Sequence, residues 1–261
     1  MNLDFIHQGD CMQWLPTLPD GCADMVLTDP PYGTMHAAWD VRPDVPALFA
    51  ELWRVLKSNG ALCVFAQLPF AAELVTAGGK FFRYEWVWVK NRPTSFLDAR
   101  RKPMRKHELV LVFYREPPTY NAVPIPAQSG ENYNGCTREL PRDAGRNYNA
   151  VPAKDYTPRD CTDGTRFPQD VVTYSVPLNR VHGTQKPQDL CEMLISQYTR
   201  PGELVLDPYA GSGTTPAAAL ATGRHFAACE WNAAFHKHAV ERMRHVCRPL
   251  PGLQQKGLTE K

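Results

Sequence analysis

Several features common in other protein classes are missing from this chain of 261 residues. None of its eight cysteines forms a Cys-x-x-Cys pair, so zinc ribbons and thioredoxin-like redox sites are not indicated. No apolar run reaches the roughly 18 residues of a transmembrane helix, and the N-terminus lacks the basic and apolar segments of a secretory signal. We therefore expect a cytoplasmic protein with reduced, mostly buried thiols and no membrane partner.

Net charge is small as well, at +2, so a globally basic surface is not an argument for nucleic-acid binding. The distribution is uneven, because residues 90–106 contain seven lysines and arginines and one acid, Asp98. Such a segment suits backbone phosphates, with binding that weakens as salt rises, although a solvated charged loop is the plain alternative. The candidate DNA contacts within it are Arg92, Arg100, Arg101, Lys102 and Arg105.

The usual phosphate-binding motifs are absent, although a glycine-rich turn is present. Residues 203–206 read as a short apolar strand, Gly211 and Gly213 permit a tight turn, and a helix begins at Thr214. The turn has no Gly-Lys-Ser/Thr, and Pro216 stands where a dinucleotide motif has its third glycine. The segment therefore indicates a nucleotide-like ligand without a gripped phosphate.

Two acids at predicted strand ends refine that interpretation. Asp207 favours a cationic ligand over a phosphate, and an aminoacyl group with a positively charged sulfur fits this requirement. Glu230 ends the next predicted strand, where an acid can accept hydrogen bonds from ribose hydroxyls.

An earlier segment, Asp29-Pro30-Pro31-Tyr32, directly follows a short apolar run. The two prolines fix φ and lack N–H groups, so the turn is stiff. Asp29 and the turn carbonyls are acceptors only, which suits a nitrogen that donates two hydrogens, and Tyr32 can stack on a planar ring. The segment predicts a site for the exocyclic amine of adenine or cytosine; an ordinary proline-rich turn is the alternative.

Together, these motifs resemble those of the S-adenosylmethionine-dependent DNA amino-methyltransferases. The catalytic motif precedes the cofactor motif, which is the permuted order of the β group of that family. The matching segments are residues 29–32 for the catalytic motif, 207–215 for the cofactor motif, and 9–10 and 182–187 for two further motifs. The resemblance covers residues 1–114 and 180–248.

The resemblance implies roles for particular residues and a cofactor, S-adenosyl-L-methionine, with no metal. The catalytic residues it implies are Asp29, Pro30, Pro31 and Tyr32. The cofactor-binding residues it implies are Asp10, Asp29, Lys186, Asp207, Ala210, Gly211, Gly213, Thr214 and Glu230.

The resemblance also implies an α/β fold: a mainly parallel, seven-stranded Rossmann-like sheet in permuted order, with a target-recognition insertion. The predicted domains are a catalytic half (1–114), the insertion (115–179), a cofactor-binding half (180–248) and a C-terminal tail (249–261). Within the catalytic half, apolar spacing predicts a helix over 44–58, ended by Gly60, and a strand over 61–65.

The insertion is rich in Pro, Asn, Tyr and Arg and has no long apolar run. Its arginines Arg138, Arg142 and Arg146 are candidates for reading base edges, and a poorly ordered segment is the alternative. Trp39, shortly after the catalytic turn, is a further candidate DNA contact, unless it simply covers the core.

The activity that the resemblance implies is methyl transfer from S-adenosylmethionine to N6 of a flipped adenine in duplex DNA. N4-cytosine methylation uses the same geometry and stays open, as does a DNA-binding protein without turnover. RNA and protein-glutamine enzymes typically place the cofactor motif first, so the order disfavours both. A homodimer and a cognate restriction enzyme of a restriction-modification pair are partners that the resemblance leaves open.

Overall fold

A computed structural model describes residues 3–33, 40–123, 125–126, 165–178 and 183–246. The chain divides into two compact units, one of residues 1–121 and 170–261 and one of residues 122–169. The described part of the smaller unit contains two short strands that pair antiparallel, β6 (Ile125–Pro126) and β7 (Thr165–Arg166). The smaller unit is shorter at both ends than the insertion predicted over 115–179.

Within the described residues, the larger unit carries one eight-stranded sheet in the order β1-β10-β9-β2-β3-β5-β4-β8. The strands are β1 (Phe5–Gln8), β2 (Ala23–Thr28), β3 (Leu56–Ala66), β4 (Phe82–Thr94), β5 (Arg105–Phe113), β8 (Val171–Tyr174), β9 (Leu204–Asp207) and β10 (His225–Glu230). Among these eight, β5 alone runs antiparallel to both of its neighbours.

The predicted α/β fold with a mainly parallel Rossmann-like sheet is confirmed, and the predicted strand count of seven is wrong. The eighth strand is β8, which pairs in parallel with β4 from Val87↔Val171 onward. Its four residues lie inside the stretch predicted as an insertion, and a strand this short leaves little periodicity in the sequence.

Helices cover both faces of the sheet. On one face lie α1 (Cys11–Trp14), α2 (Val45–Val55) and α3 (Phe70–Gly78); on the other lie α4 (Gln188–Tyr198), α5 (Thr214–Ala221) and α6 (Ala233–Arg244). Each face has its own buried apolar cluster, so the central strands are covered on both sides, as expected for parallel strands. No helix within the described ranges is both long and apolar enough to cross a membrane.

The α2 helix ends earlier than predicted. The Asp44 carboxylate caps it by accepting from the Ala47 amide at 3.1 Å, and the backbone turns extended at Leu56, where β3 begins. Gly60 therefore lies inside a strand instead of ending a helix. A Cβ at Gly60 would lie 2.6 Å from the Leu56 Cδ1 and 2.9 Å from the Asp24 carbonyl, so close packing requires this glycine.

The strands β2 and β9 are parallel neighbours at the centre of the sheet. Their carboxyl ends carry the two turns singled out in the sequence, so both turns lie side by side at one edge. This is the edge at which open α/β sheets bind ligands.

Candidate active site

A cavity of about 470 Å³ lies at the carboxyl edge of the sheet, between these two turns. This volume is in the range that holds a small ligand. The Asp29-Pro30-Pro31-Tyr32 turn lines it together with residues 207–212. The structure thus brings the predicted catalytic and cofactor motifs to one shared cavity.

Two partners fix the Asp29 carboxylate. Its Oδ1 accepts from the Tyr32 hydroxyl at 2.8 Å, and its Oδ2 accepts from the Lys186 ammonium at 2.5 Å. The Tyr32 ring packs against the Phe70 ring, with 5.7 Å between the two ring centroids. Lys186, predicted as a cofactor contact, therefore reaches across the cavity to the catalytic turn.

The ion pair extends to further cavity-lining residues that the sequence interpretation did not assign to the site. Lys186 Nζ also lies 3.4 Å from Glu108 Oε2, and Glu108 Oε1 pairs with the Lys90 ammonium. Gln67 donates to the same Oε1 at 2.7 Å. We call Asp29, Lys186, Glu108 and Lys90 the charge cluster; its formal charges alternate in sign along its length.

Strand alternation explains how these charges come to be buried. Trp86 and Trp88 point into the core from β4, and the period of two places Lys90 on the same face. On β5, Glu108 stands opposite Trp88 and shares its face with Val110. Because β5 runs antiparallel, its first residues lie at the carboxyl edge of the other strands, which brings Glu108 to the site.

The charges perturb one another strongly. Burial raises the pKa of Asp29, and the nearby Lys186 opposes that rise. Burial also acts to raise the pKa of Glu108, but Lys186 and Lys90 outweigh it and hold that pKa below its usual value. For Lys186, burial acts to lower the pKa, yet Asp29 and Glu108 outweigh it and leave the pKa raised. Pairing therefore favours the charged forms of Glu108 and Lys186. For Asp29, in contrast, burial is the larger influence, and burial likewise lowers the pKa of Lys90.

The glycine turn is held differently, through hydrogen bonds that its backbone amides donate. The Gly211 amide donates to Glu230 Oε2 at 2.7 Å, and the Ala210 amide donates to the Cys229 carbonyl at 2.8 Å. Gly211 has a φ of +53°, a region that glycine adopts without strain. The second oxygen of Glu230 accepts from the Asn232 amide at 2.7 Å. Both predicted features, the turn and the acid, thus lie together on the cavity wall.

The Asp207 carboxylate is buried below this turn. It accepts from the Thr28 hydroxyl at 2.8 Å and the Tyr209 amide at 3.0 Å. Burial is the largest influence and raises the pKa of Asp207 to about 7, despite these two hydrogen bonds. A positively charged ligand beside this carboxylate would favour its ionised form.

Of the next two predicted cofactor residues, Gly213 is explained by helix packing and Thr214 lines the cavity. Gly213 precedes α5 with a φ of +77°, and a Cβ there would lie 3.0 Å from the Ala239 Cβ. It is not among the residues that line the cavity, so the close approach of α6 accounts for this glycine. Thr214, at the first position of α5, does line the cavity.

Asp10 performs a local task. Its side chain accepts from the Met12 amide at 2.7 Å and caps α1, while the neighbouring Gly9 and Cys11 line the cavity. The structure therefore places the predicted 9–10 motif beside the site, with the Asp10 carboxylate engaged by the helix.

The basic segment predicted over 90–106 forms the end of β4, the connection to β5 and the start of β5. Lys90 is only 4% exposed, so the interpretation of this lysine as part of a phosphate-binding run is wrong; the strand alternation places it in the core. Arg105 is partly buried and its guanidinium bonds Gln67 Oε1. The exposed candidates are Arg92, Arg100, Arg101 and Lys102. The candidates Trp39, Arg138, Arg142 and Arg146 lie outside the described residues.

Two aromatic side chains of the cavity wall, Trp231 and Phe235, were also missed. Trp231 directly follows Glu230 and is 62% exposed. Its position after the acid of a predicted strand was a usable signal, because an aromatic ring there can stack on a planar group held by that acid.

S-adenosylmethionine fits the charges and hydrogen-bonding groups of this cavity. Asp207 and Glu230 supply negative charge to the site. Both lysines among its described lining residues are engaged by carboxylates, Lys186 by Asp29 and Glu108 and Lys90 by Glu108, so neither is free to grip a phosphate. The close backbone at Gly211 admits a ligand to the turn, and Glu230 is placed to accept from hydroxyls. A cationic nucleoside matches these groups better than a phosphate does.

Comparisons with known proteins agree with this geometry. The family model N6_N4_Mtase, described as DNA methylase, matches residues 23–241. The chain is 27% identical over 251 residues to the DNA adenine methyltransferase YhdJ of Escherichia coli (strain K12), covering 91% of this chain and 82% of that protein.

Solved structures share the fold. M1.HpyAVI in complex with SAM has a TM-score of 0.57 at 19% identity, covering 91% of this chain and 97% of that one. The PvuII DNA methyltransferase (cytosine-N4-specific) has a TM-score of 0.62 at 15% identity, covering 91% and 85%. With a family match over most of its length and both motifs at one cavity, this chain belongs to the N6/N4 DNA methylase family and is a DNA methyltransferase whose cofactor is S-adenosylmethionine.

Proposed function

We propose that this enzyme methylates N6 of adenine in duplex DNA after the base has been flipped out of the stack. The observation that carries the proposal is the Asp29-Pro30-Pro31-Tyr32 turn, which faces the glycine turn across one cavity. By the resemblance to the DNA amino-methyltransferases, an aspartate at the first position of this motif favours adenine, and the similarity to an adenine methyltransferase supports the same base. Flipping costs roughly a few kcal/mol, which contacts to the extruded base and the DNA backbone must offset.

In this proposal, Asp29 and the Pro30 carbonyl accept the two amino hydrogens of the base. Acceptors on both hydrogens draw the nitrogen lone pair out of ring conjugation and aim it toward the glycine turn. Tyr32 stacks on the base, and its hydroxyl orients the Asp29 carboxylate. When bound, S-adenosylmethionine supplies a methyl group on a positively charged sulfur. The protein contributes mainly positioning and electrostatics.

The residues proposed to hold the cofactor lie on the opposite wall. Glu230 would accept from the ribose hydroxyls, Gly211 would allow close approach, and Asp207 would place negative charge near the aminoacyl portion. Thr214 and Ala210 would complete this wall. We assign Lys186 to Asp29 rather than to the cofactor, because its ammonium contacts the Asp29 carboxylate at 2.5 Å.

DNA contact is proposed for the exposed basic side chains at the end of β4 and in its connection to β5. Thr94, the last residue of β4, and Ser95 line the cavity, so Arg92 and Arg100 lie on a segment that borders it. Cationic side chains there suit the phosphates that flank a flipped base. Target recognition is proposed for the insertion, which the sequence interpretation placed at 115–179.

Nucleoside mass spectrometry tests the base assignment. Mixed-sequence duplex DNA is incubated with the protein and isotopically labelled S-adenosylmethionine, digested and analysed. Labelled N6-methyl-2′-deoxyadenosine is the expected product. Labelled N4-methyl-2′-deoxycytidine would leave fold and mechanism unchanged but overturn the choice of base; the structural likeness to a cytosine-N4-specific enzyme makes this the second candidate. No label in either nucleoside would contradict the proposal.

A further inference from the structure

The charge cluster contains more charge than the proposed reaction needs. Of the cluster, only Asp29 accepts from the target amine in the proposed reaction, yet two lysines and a second carboxylate line the cavity with it. The side chains of Lys90 and Glu108 are 5% and 8% exposed. Burying such groups is costly unless they are paired, and replacing a buried ion pair by apolar groups is often neutral or stabilising. Fold stability therefore gives no reason for these particular charges.

The arrangement of the pair suggests another role. Glu108 Oε1 is occupied by Lys90 and Gln67, whereas Glu108 Oε2 has no hydrogen-bond partner and stands 3.4 Å from Lys186 Nζ. Lys186 is thus shared between two carboxylates, tightly with Asp29 and loosely with Glu108. How strongly Glu108 attracts Lys186 depends on how far Lys90 neutralises it.

We propose that Lys90 is a positioning residue: by neutralising Glu108, which otherwise competes for Lys186, it keeps Lys186 on Asp29 and so favours an ionised and oriented catalytic carboxylate. With Lys90 present, the Glu108 charge is largely satisfied and Lys186 remains on Asp29. Without Lys90, Glu108 competes for Lys186, and Asp29 loses part of the interaction that stabilises its charge. This inference rests on the proposed role of Asp29 in the reaction.

The electrostatics have a definite sign. Asp29 must be ionised to accept an amino hydrogen, so activity falls as pH decreases through its pKa. Loss of a nearby positive charge raises that pKa, and loss of a nearby negative charge lowers it. The charged and titratable groups facing Asp29 are Tyr32 on its own turn, Lys186, Cys191 on α4, Glu108 on β5, Lys90 on β4 and Asp207 on β9. Of these, Glu108 is connected to Asp29 through the shared Lys186, and Lys90 is connected to it through Glu108.

Three variants test the proposal: Lys90→Met, Glu108→Gln and the double variant. Each keeps approximate side-chain shape while removing charge. Lys90→Met should move the Asp29 titration to higher pH, Glu108→Gln should move it to lower pH, and the double variant should return it close to wild type. On the acid limb of kcat/KM, we expect about a threefold loss for Lys90→Met and a gain of similar size for Glu108→Gln.

The titration is measured in two independent ways. Carbon-13 NMR of the aspartate carboxyls, with Asp29 assigned by an Asp29→Asn variant, follows its pKa in protein without cofactor or DNA. The pH profile of kcat/KM follows it during methyl transfer. If the wild-type protein transfers no methyl group, the proposed function is wrong. The NMR titration of Asp29 still tests whether Lys90 and Glu108 control its charge.

Lys57→Met is the matched control, because Lys57 forms a 2.6 Å ion pair with Asp24 on the same sheet but away from the cavity. Its Asp29 titration should equal that of wild type. Lys90→Arg keeps the positive charge and should also leave the Asp29 titration unchanged. If Lys90→Met does not fold, Lys90→Arg and Glu108→Gln are compared with wild type instead. Unmoved titrations, or shifts of one sign in both single variants, would overturn the proposal.

Discussion

The two turns at the centre of the sheet are held in contrasting ways, although they follow adjacent parallel strands. The glycine turn is fixed through its own backbone amides, which donate from Gly211 to the Glu230 carboxylate and from Ala210 to the Cys229 carbonyl, within about twenty residues of sequence. The catalytic turn is fixed by side-chain charge: Asp29 depends on Lys186, 157 residues away, and through it on Glu108. A cofactor turn can thus be encoded locally, whereas a catalytic carboxylate is set by distant residues.

The largest effect is expected from breaking the catalytic side. Asp29→Ala removes the acceptor that aims the amine, so methyl transfer should fall by about 10²- to 10³-fold or more while DNA binding survives. Transfer of labelled methyl groups and a fluorescence-anisotropy binding assay measure the two separately. Asp20→Ala, at an exposed carboxylate paired with Arg54, is the control and should leave both unchanged. Persistent transfer in Asp29→Ala would refute the catalytic assignment.

The next prediction concerns pH and the cofactor side. The pKa of Asp207 is about 7 in the folded protein, above its ordinary value, because burial disfavours the charge. The folded state then binds more protons than the unfolded state between about pH 4 and 7, so this group makes stability fall as pH rises through that window. Its contribution is at most about 4 kcal/mol.

Urea unfolding at pH 5 and pH 7.5 measures this dependence. Asp207→Asn removes the titration and should flatten the fall relative to wild type, whereas Asp20→Asn should not. An equal fall in Asp207→Asn and wild type would show that Asp207 titrates normally.

A smaller effect should separate backbone strain from packing at the glycine turn. Gly213→Ala introduces a Cβ 3.0 Å from the Ala239 Cβ, at a φ of +77°. Gly202→Ala has a similar φ of +85° but meets no atom within 4 Å, so it reports strain alone. We expect about 1 kcal/mol of destabilisation for Gly202→Ala and about 2–3 kcal/mol for Gly213→Ala, by urea unfolding. Equal destabilisation by the two variants would mean that α6 shifts to accommodate the new Cβ with no measurable loss of stability.

The smallest effect is expected at the surface. Arg100→Ala should weaken duplex binding by severalfold at most and reduce the slope of log K against log salt by about one, if its guanidinium neutralises a phosphate. Lys80→Ala, an exposed cation near the opposite end of β4, is the control. Fluorescence anisotropy at several salt concentrations, from low to moderate, measures this slope. An unchanged slope would show that Arg100 does not contact a DNA phosphate.

Much of the site could be predicted from the sequence where a few neighbouring residues fix the local backbone conformation. Prolines stiffen the turn after β2, glycines permit the turn after β9, and Glu230 ends its strand, so each feature is legible within a few residues. The boundary at Leu56 was missed because the α2 helix passes into β3 without a breaking residue. The strand β8 was missed because four residues in a polar stretch give little pattern.

The sequence by itself determined the two turns, their order along the chain and therefore the family, because local backbone chemistry dictates those features. Only the tertiary structure decided that Lys90 belongs to the site and not to the DNA-facing run, and that Glu108 stands behind Lys186. Those positions follow from an antiparallel strand brought beside parallel ones and from the face on which each side chain emerges. Sheet pairing joins residues far apart in sequence, and the electrostatics of a buried carboxylate depend on all of them at once.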